Sequence, residues 1–430
     1  MLSSFSGEVA HGKMHYAELK KMLSNAVKKM ELYMLAILIY AVNITVGYLL
    51  DKYLRIPWML TAVLLGMTLS SFGLFSDVIR STDFQVLSKM GLLLFLFTIG
   101  IEIEMEQLRK LGHYITVGFA LLTLTEGLLL AIFFYFAYPG FVSNSFIVAL
   151  VCGIAFGTIG EVVLMAILEE FELVKTKFGQ LALGIGLADD IFEVLALSTI
   201  VILPTITSVG VSQSAVWSDL LTTILILSGL VFITFLLSKI GKYAQCSLEK
   251  VKEDSFIIPF LIFMVLFSFV SFGLTGAEGM EVVAAIFSGI AIKQVLPEKF
   301  VERYKKLIYF VTNIFLGPFF FVSLGGKMSL SSLQSYPLLS FIVIAISLFS
   351  RISASYFLFN KLLGKRQSII MGIGLTTKFS TSVVSEYILL TMGLIAAPLY
   401  TALMAAYIIL KPIIIVVFSR GLASIRGEIK

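Results

Sequence analysis

Thirteen predominantly apolar stretches, separated by short polar or charged connections, follow one another along this chain of 430 residues. They lie at 31–50, 57–75, 86–103, 114–138, 145–168, 179–204, 218–238, 255–274, 281–295, 307–325, 336–360, 368–394 and 399–419. A helix needs roughly 20 apolar residues to cross the hydrocarbon core of a bilayer, and nearly all of these stretches reach that length. The series predicts an all-α polytopic membrane protein. Composition agrees, since 58% of residues are hydrophobic and only 14% charged, outside the usual range of a soluble domain. The first thirty residues are polar and lysine-rich, without the apolar core of a cleavable signal, so the first span is expected to target the chain. Two cysteines, Cys152 and Cys246, and three histidines, His11, His15 and His113, are scattered. They suggest no disulfide frame, metal site or cofactor.

Loop charge orients the spans, because Lys and Arg concentrate in cytoplasmic loops. With the first span running outside to inside, 21 of the 32 Lys and Arg residues fall in inward loops and the C-terminal tail, and only Arg80 and Lys327 in outward ones. The N-terminus is then outside and the C-terminus cytoplasmic, in a cell (inner) membrane. The net charge of +5 follows from this topology and calls for no nucleic acid. Five lysines before the first span depart from the rule. Either residues 1–30 form a basic amphipathic tail on the outer surface, or the first span is miscounted. Thirteen also divides into six spans, a linker span and six more, and an odd linker inserts the second set upside down, the inverted-repeat plan of many secondary transporters.

That plan predicts matched features in matched helices. The fifth span is interrupted by GIAFGTIGE, with Thr158 and Glu161, and the twelfth by GIGLTTKFSTS, with Lys378. Interrupted segments at corresponding positions of two halves point to a transport site, although small residues also simply let helices pack closely. A broken helix exposes NH groups at the start of one half and carbonyls at the end of the other. Glu161 and Lys378 are expected to compensate these ends, or each other; lining a watery vestibule is the alternative.

Asp189 and Asp190 fall near the middle of the sixth span, in GIGLADDIFE. A carboxylate at bilayer depth costs roughly 2.5–3.5 kcal/mol on the insertion scale, so such residues are usually functional. Neighbours on a helix point about 100° apart. One aspartate can face a cation while the other meets a wet cavity, or both can flank the break of span five, with Thr158 and bare carbonyls adding neutral oxygens. The two would titrate as a coupled unit. Arg351, midway along span eleven, is a permanent counter-charge. Glu126 holds the matching place in span four and can pair with Arg351 or another cation. Glu193 and Glu386 are outlying candidates.

Two broken spans, an Asp-Asp pair in span six and a cation midway along span eleven together resemble the sodium/proton antiporters of the NhaA and NapA type, within the monovalent cation:proton antiporter superfamily. LLLFLFTIGIEIEMEQLRK and IFLGPFFFVSLGGKMSL are similar to segments of that family. The resemblance implies an NhaA-like fold in which core helices 4–6 (111–205) and 11–13 (331–420) move against a dimerising panel. The panel comprises helices 1–3 (31–110) and 8–10 (246–330), joined to the core through linker helix 7 (206–245) and followed by a short tail, 421–430. It implies exchange of Na+, with Li+ or K+ as alternatives, for H+. Asp190 would be the principal binding carboxylate and Asp189 the one exchanging partners with Arg351; the acid pair implies electrogenic exchange by a homodimer. The family often has lysine where Arg351 stands, so any proton carried here rides on the aspartates. With ten residues after the last span, no nucleotide- or glutathione-sensing domain is expected. An intramembrane aspartyl protease would need a Gly-x-Gly-Asp element that GIGLADD does not match in spacing. A channel, a receptor or a sodium-coupled solute symporter on the same scaffold are other readings.

Overall fold

The computed structural model describes residues 16–54, 58–102, 113–207, 213–249, 256–276, 279–378 and 382–429. Every regular element among them is helical. In chain order these are α1 (Tyr16–Val42), continued through a π-helical turn (Asn43–Gly47) into α2 (Tyr48–Leu54), α3 (Trp58–Ser71), α4 (Ser76–Ile79) and α5 (Thr82–Glu102). Then come α6 (His113–Ala137), a 3-10 helical turn (Pro139–Val142), α7 (Phe146–Phe156), α8 (Glu161–Glu170), α9 (Lys177–Thr207) and α10 (Gln213–Leu248). They are followed by α11 (Ile257–Gly273), α12 (Met280–Val295), α13 (Glu298–Phe310), a second π-helical turn (Val311–Leu316) and α14 (Gly317–Gly326). The chain closes with α15 (Leu330–Ser335), α16 (Pro337–Leu363), α17 (Lys365–Gly374), α18 (Ser382–Thr391) and α19 (Ala397–Ile429).

Seven helices among the described residues are long and apolar enough to cross a membrane: Lys29–Leu50, Thr82–Glu102, His113–Ala137, Leu221–Gly241, Glu298–Gly326, Pro337–Leu363 and Ala397–Ile425. Several elements outrun the apolar stretches that announce them. The first begins at Tyr16 rather than at 31, because no glycine or proline interrupts the chain between Lys13 and Val46. Hydropathy marks where a helix enters lipid; backbone breakers mark where it ends.

Two groups of helices pack chiefly within themselves. α3 lies on α14, α5 on α12 and α14, and α12 on α10 and α11; in the second group α6 lies on α7 and α16, and α16 on α17 and α19. α9 touches both, packing on α6, α7 and α8 and also on α10 and α12. The closest crossings are made by glycine. A Cβ on Gly100 of α5 would collide with the carbonyl oxygen of Ile286 in α12, and one on Gly289 of α12 with that of Phe97 in α5. Gly66 of α3 meets the carbonyl of Val322 in α14 in the same way, and Gly325 of α14 that of Val63 in α3. Without a hydrophobic drive between helices in lipid, such close backbone approach is what holds them together. Gly100→Ala therefore forces α5 and α12 apart, and thermal unfolding of the purified protein is expected to show a loss of about 1–3 kcal/mol, the usual cost of overpacking.

Candidate functional site

The fifth span is two helices, α7 and α8, separated by Gly157–Gly160. Sequence explains the break. Gly157 closes α7 by donating to the carbonyls of Gly153 and Ile154, and the Thr158 hydroxyl donates to the carbonyl of Ala155 at 3.1 Å, a local bond that competes with helix continuation. The twelfth span stops in the same manner after α17. There the hydroxyls of Thr376 and Thr377 donate to the carbonyls of Gly372 (2.8 Å) and Gly374 (2.6 Å). The two breaks are bonded to each other, the Gly160 NH donating to the Thr377 carbonyl at 2.7 Å.

Around this crossing lies a buried charge cluster. Glu126 of α6, Arg351 of α16, Lys378 and Asp189 of α9 are each at most 1% exposed. Glu126 is the hub. Its Oε2 accepts from Arg351 Nε, its Oε1 accepts from the Ser347 hydroxyl, and Lys378 Nζ lies 2.7 Å from Oε1. Lys378 also sits 5.2 Å from the centre of the Phe156 ring, which stacks on Tyr407. Arg351 Nη2 donates to the Gly157 carbonyl, while Nη1 has no hydrogen-bond partner among the described residues. Asp189 Oδ2 accepts from the Ile159 NH, and Oδ1 accepts from the Thr123 hydroxyl at 3.3 Å.

The geometry is electrostatically complementary. The carbonyl end of α7 carries partial negative charge and meets Arg351, whereas the buried Ile159 NH just before α8, outside any helical hydrogen bond, meets Asp189. Glu126, Asp189, Arg351 and Lys378 together sum to zero formal charge, as buried charges must be paired. The structure thus brings together Asp189, Glu126, Arg351, Lys378 and the Thr158 segment. It puts Arg351, not Lys378, on the broken helix's carbonyl, and pairs Arg351 with Glu126. Glu386 lies apart from the cluster, against Cys152. The side chains of Glu161, Asp190 and Glu193 fall outside the described residues, although Asp190 and Glu193 are on α9 and Glu161 opens α8. Two contributors are additions to the sequence reading, Thr123 and Ser347. Their signal is helical spacing, since Thr123 stands three residues before Glu126 and Ser347 four before Arg351, positions that share a helix face.

A buried, charge-balanced polar centre at the crossing of two interrupted helices, inside an all-helical membrane body, defines the class: an integral membrane transporter. Residues 19–419 match the family described as sodium/hydrogen exchanger, transmembrane, and the chain belongs to that family, within the monovalent cation:proton antiporter superfamily. A probable Na(+)/H(+) antiporter 3 of Methanocaldococcus jannaschii is 23% identical over 402 residues, 89% of this chain and 95% of the relative. An Na(+)/H(+) antiporter of Enterococcus hirae is 27% identical over 319 residues, 73% of this chain and 77% of that one. The K(+) efflux antiporter 3, chloroplastic, of Arabidopsis thaliana is 29% identical over 168 residues, 35% of this chain and 21% of its own length. The solved structure of the sodium proton antiporter MjNhaP1 from Methanocaldococcus jannaschii at pH 8 matches with a TM-score of 0.58. That match covers 93% of this chain and 98% of the other at 19% identity, and shows a common fold.

Proposed function

We propose that this protein exchanges a monovalent cation, sodium first, for protons by alternating access, electrogenically, with Asp190 as the principal binding carboxylate and Asp189 and Thr158 beside it. One observation carries the reading: among the described residues, Asp189 is the member of the charge cluster whose hydrogen bonds come from uncharged donors alone, Thr123 and the Ile159 NH. Glu126 is bonded to both cations, so the aspartates are the carboxylates available to load and unload a proton or a hard cation. The unpartnered Nη1 of Arg351 offers Asp189 a place to go when its ligand changes. Glu161 and Lys378 complete the charge compensation, with Glu193 and Glu386 further out.

The reading includes thirteen spans in two inverted six-helix repeats, and close-packed glycines support it. Under that plan α3 corresponds to α12 and α5 to α14, so the α3·α14 crossing maps onto the α12·α5 crossing, and both are built on reciprocal glycine–carbonyl approaches. Likewise a Cβ on Gly153 of α7 would lie 2.5 Å from the carbonyl of Gly127 in α6, and one on Gly372 of α17 would lie 2.7 Å from the Cα of Ile352 in α16. These contacts sit one residue beyond Glu126 and Arg351. The helix group carrying the cluster would move against the other as core against panel, in a homodimer of the cell membrane with its N-terminus outside and C-terminus cytoplasmic.

Proteoliposomes loaded with a pH dye test the proposal. Sodium or lithium pulses are expected to dissipate an imposed proton gradient, faster with the membrane potential clamped, and Asp190→Asn to abolish the response. No response to sodium, lithium or potassium would sink it. A response to potassium alone would select K+/H+ exchange, the reading favoured by the similarity to the plant K(+) efflux antiporter.

A further inference from the structure

Glu386, in the second turn of α18, is fully buried. Its Oε2 accepts a hydrogen bond from the Cys152 thiol of α7 at 3.4 Å, and its Oε1 has no hydrogen-bond partner among the described residues. Two more oxygens of α18 share that condition: the hydroxyls of Ser382 and Ser385, both fully buried and both without a hydrogen-bond partner among the described residues. Positions i, i+3 and i+4 of a helix fall within about 100° of arc. One face of α18 therefore presents a carboxylate oxygen and two hydroxyl oxygens to the interior.

Buried polar groups in native proteins are satisfied, and exceptions point to a bound water or ion. A carboxylate needs more than that, because burying it without a counter-charge is among the costliest things a fold can do. The nearest cation along the chain, Lys378, is engaged with Glu126. The donor set selects the ligand. Three oxygens bearing one formal negative charge suit a single positive charge on a hard ion. Calcium takes six to eight oxygens, usually with several carboxylates, and magnesium demands near-octahedral geometry. The thiol is not a ligand here; it donates to Oε2 and steadies the carboxylate.

We propose that Glu386, Ser382 and Ser385 hold a monovalent hard cation, of the sodium or potassium class, at a second site separate from the Asp189–Asp190 centre. Occupied, it neutralises the carboxylate buried where α18 packs on α7. The site does not depend on the exchange reading, since binding is measured without transport.

The experiment uses purified protein carrying Asp189→Asn and Asp190→Asn, which removes the first centre. Its unfolding temperature is titrated with sodium, potassium or lithium chloride against choline chloride at constant ionic strength. A saturable rise with one of the metal ions is expected, absent when Glu386→Gln is added and displaced to at least about tenfold higher concentration, roughly 1.4 kcal/mol, by Ser382→Ala with Ser385→Ala. If the double Asn protein does not fold, Glu386→Gln alone is expected to remove one of two saturable phases from the natural protein's titration. No metal-specific response, a response unchanged by Glu386→Gln, or one that follows pH alone would overturn the site, the last meaning that the corner holds only a proton. Absence of exchange in proteoliposomes would leave this titration untouched.

Discussion

Glu126→Gln is expected to destabilise the protein by about 3–5 kcal/mol, the range seen when one partner of a buried ion pair is removed. Glutamine keeps the shape and can still accept from Ser347, but it leaves Arg351 and Lys378 buried side by side with no carboxylate between them. Thermal unfolding in detergent measures the loss. The rescue separates charge balance from lost packing. Lys378→Met in the Glu126→Gln background removes the surplus cation, while Arg351 keeps the Gly157 carbonyl, so much of the stability returns. Arg351→Met in the same background restores the same charge count yet bares the end of α7, and is expected to recover less. Equal recovery by both would mean that the Gly157 contact contributes nothing.

Asp189→Asn should do the reverse, abolishing exchange while sparing the fold. The Asn oxygen can still accept from the Ile159 NH, and its amide can donate to the Thr123 hydroxyl, so the hydrogen-bond count is preserved. What disappears is the charge that binds a proton or a cation. Exchange in proteoliposomes is expected to fall at least about 100-fold, roughly 2.7 kcal/mol in free energy, while the unfolding temperature moves little. A variant that exchanges at the natural rate would remove Asp189 from the mechanism; one that fails to fold would make it a structural residue, like Glu126.

The contrast between these two acids is not visible in the chain. Both are carboxylates in apolar stretches, and the insertion cost that flags one flags the other. Hydropathy was enough to announce a polytopic helical protein, and glycine and threonine clusters were enough to announce where spans five and twelve break, because both follow from local chemistry: apolar length, and hydroxyls that take the last carbonyls of a helix. Helix ends were less legible. α1, α10 and α13 extend past their apolar stretches because polar residues outside the hydrocarbon core still make good helix.

Partner choice lies beyond the chain's own reach, for a physical reason. Whether Arg351 faces Glu126 or Asp189 depends on how α6, α9 and α16 are rotated and spaced around the crossing, and those are set by close approaches such as Gly127 on Gly153 and Gly372 on Ile352. A difference of a few ångströms in a low-dielectric interior changes a pair energy by several kcal/mol. The sequence by itself determined which residues had to be charged inside the membrane and that their charges had to balance. Only the tertiary structure decided that Glu126 takes both cations, that Arg351 rather than Lys378 caps the broken helix, and that Asp189 is hydrogen-bonded by neutral donors among the described residues.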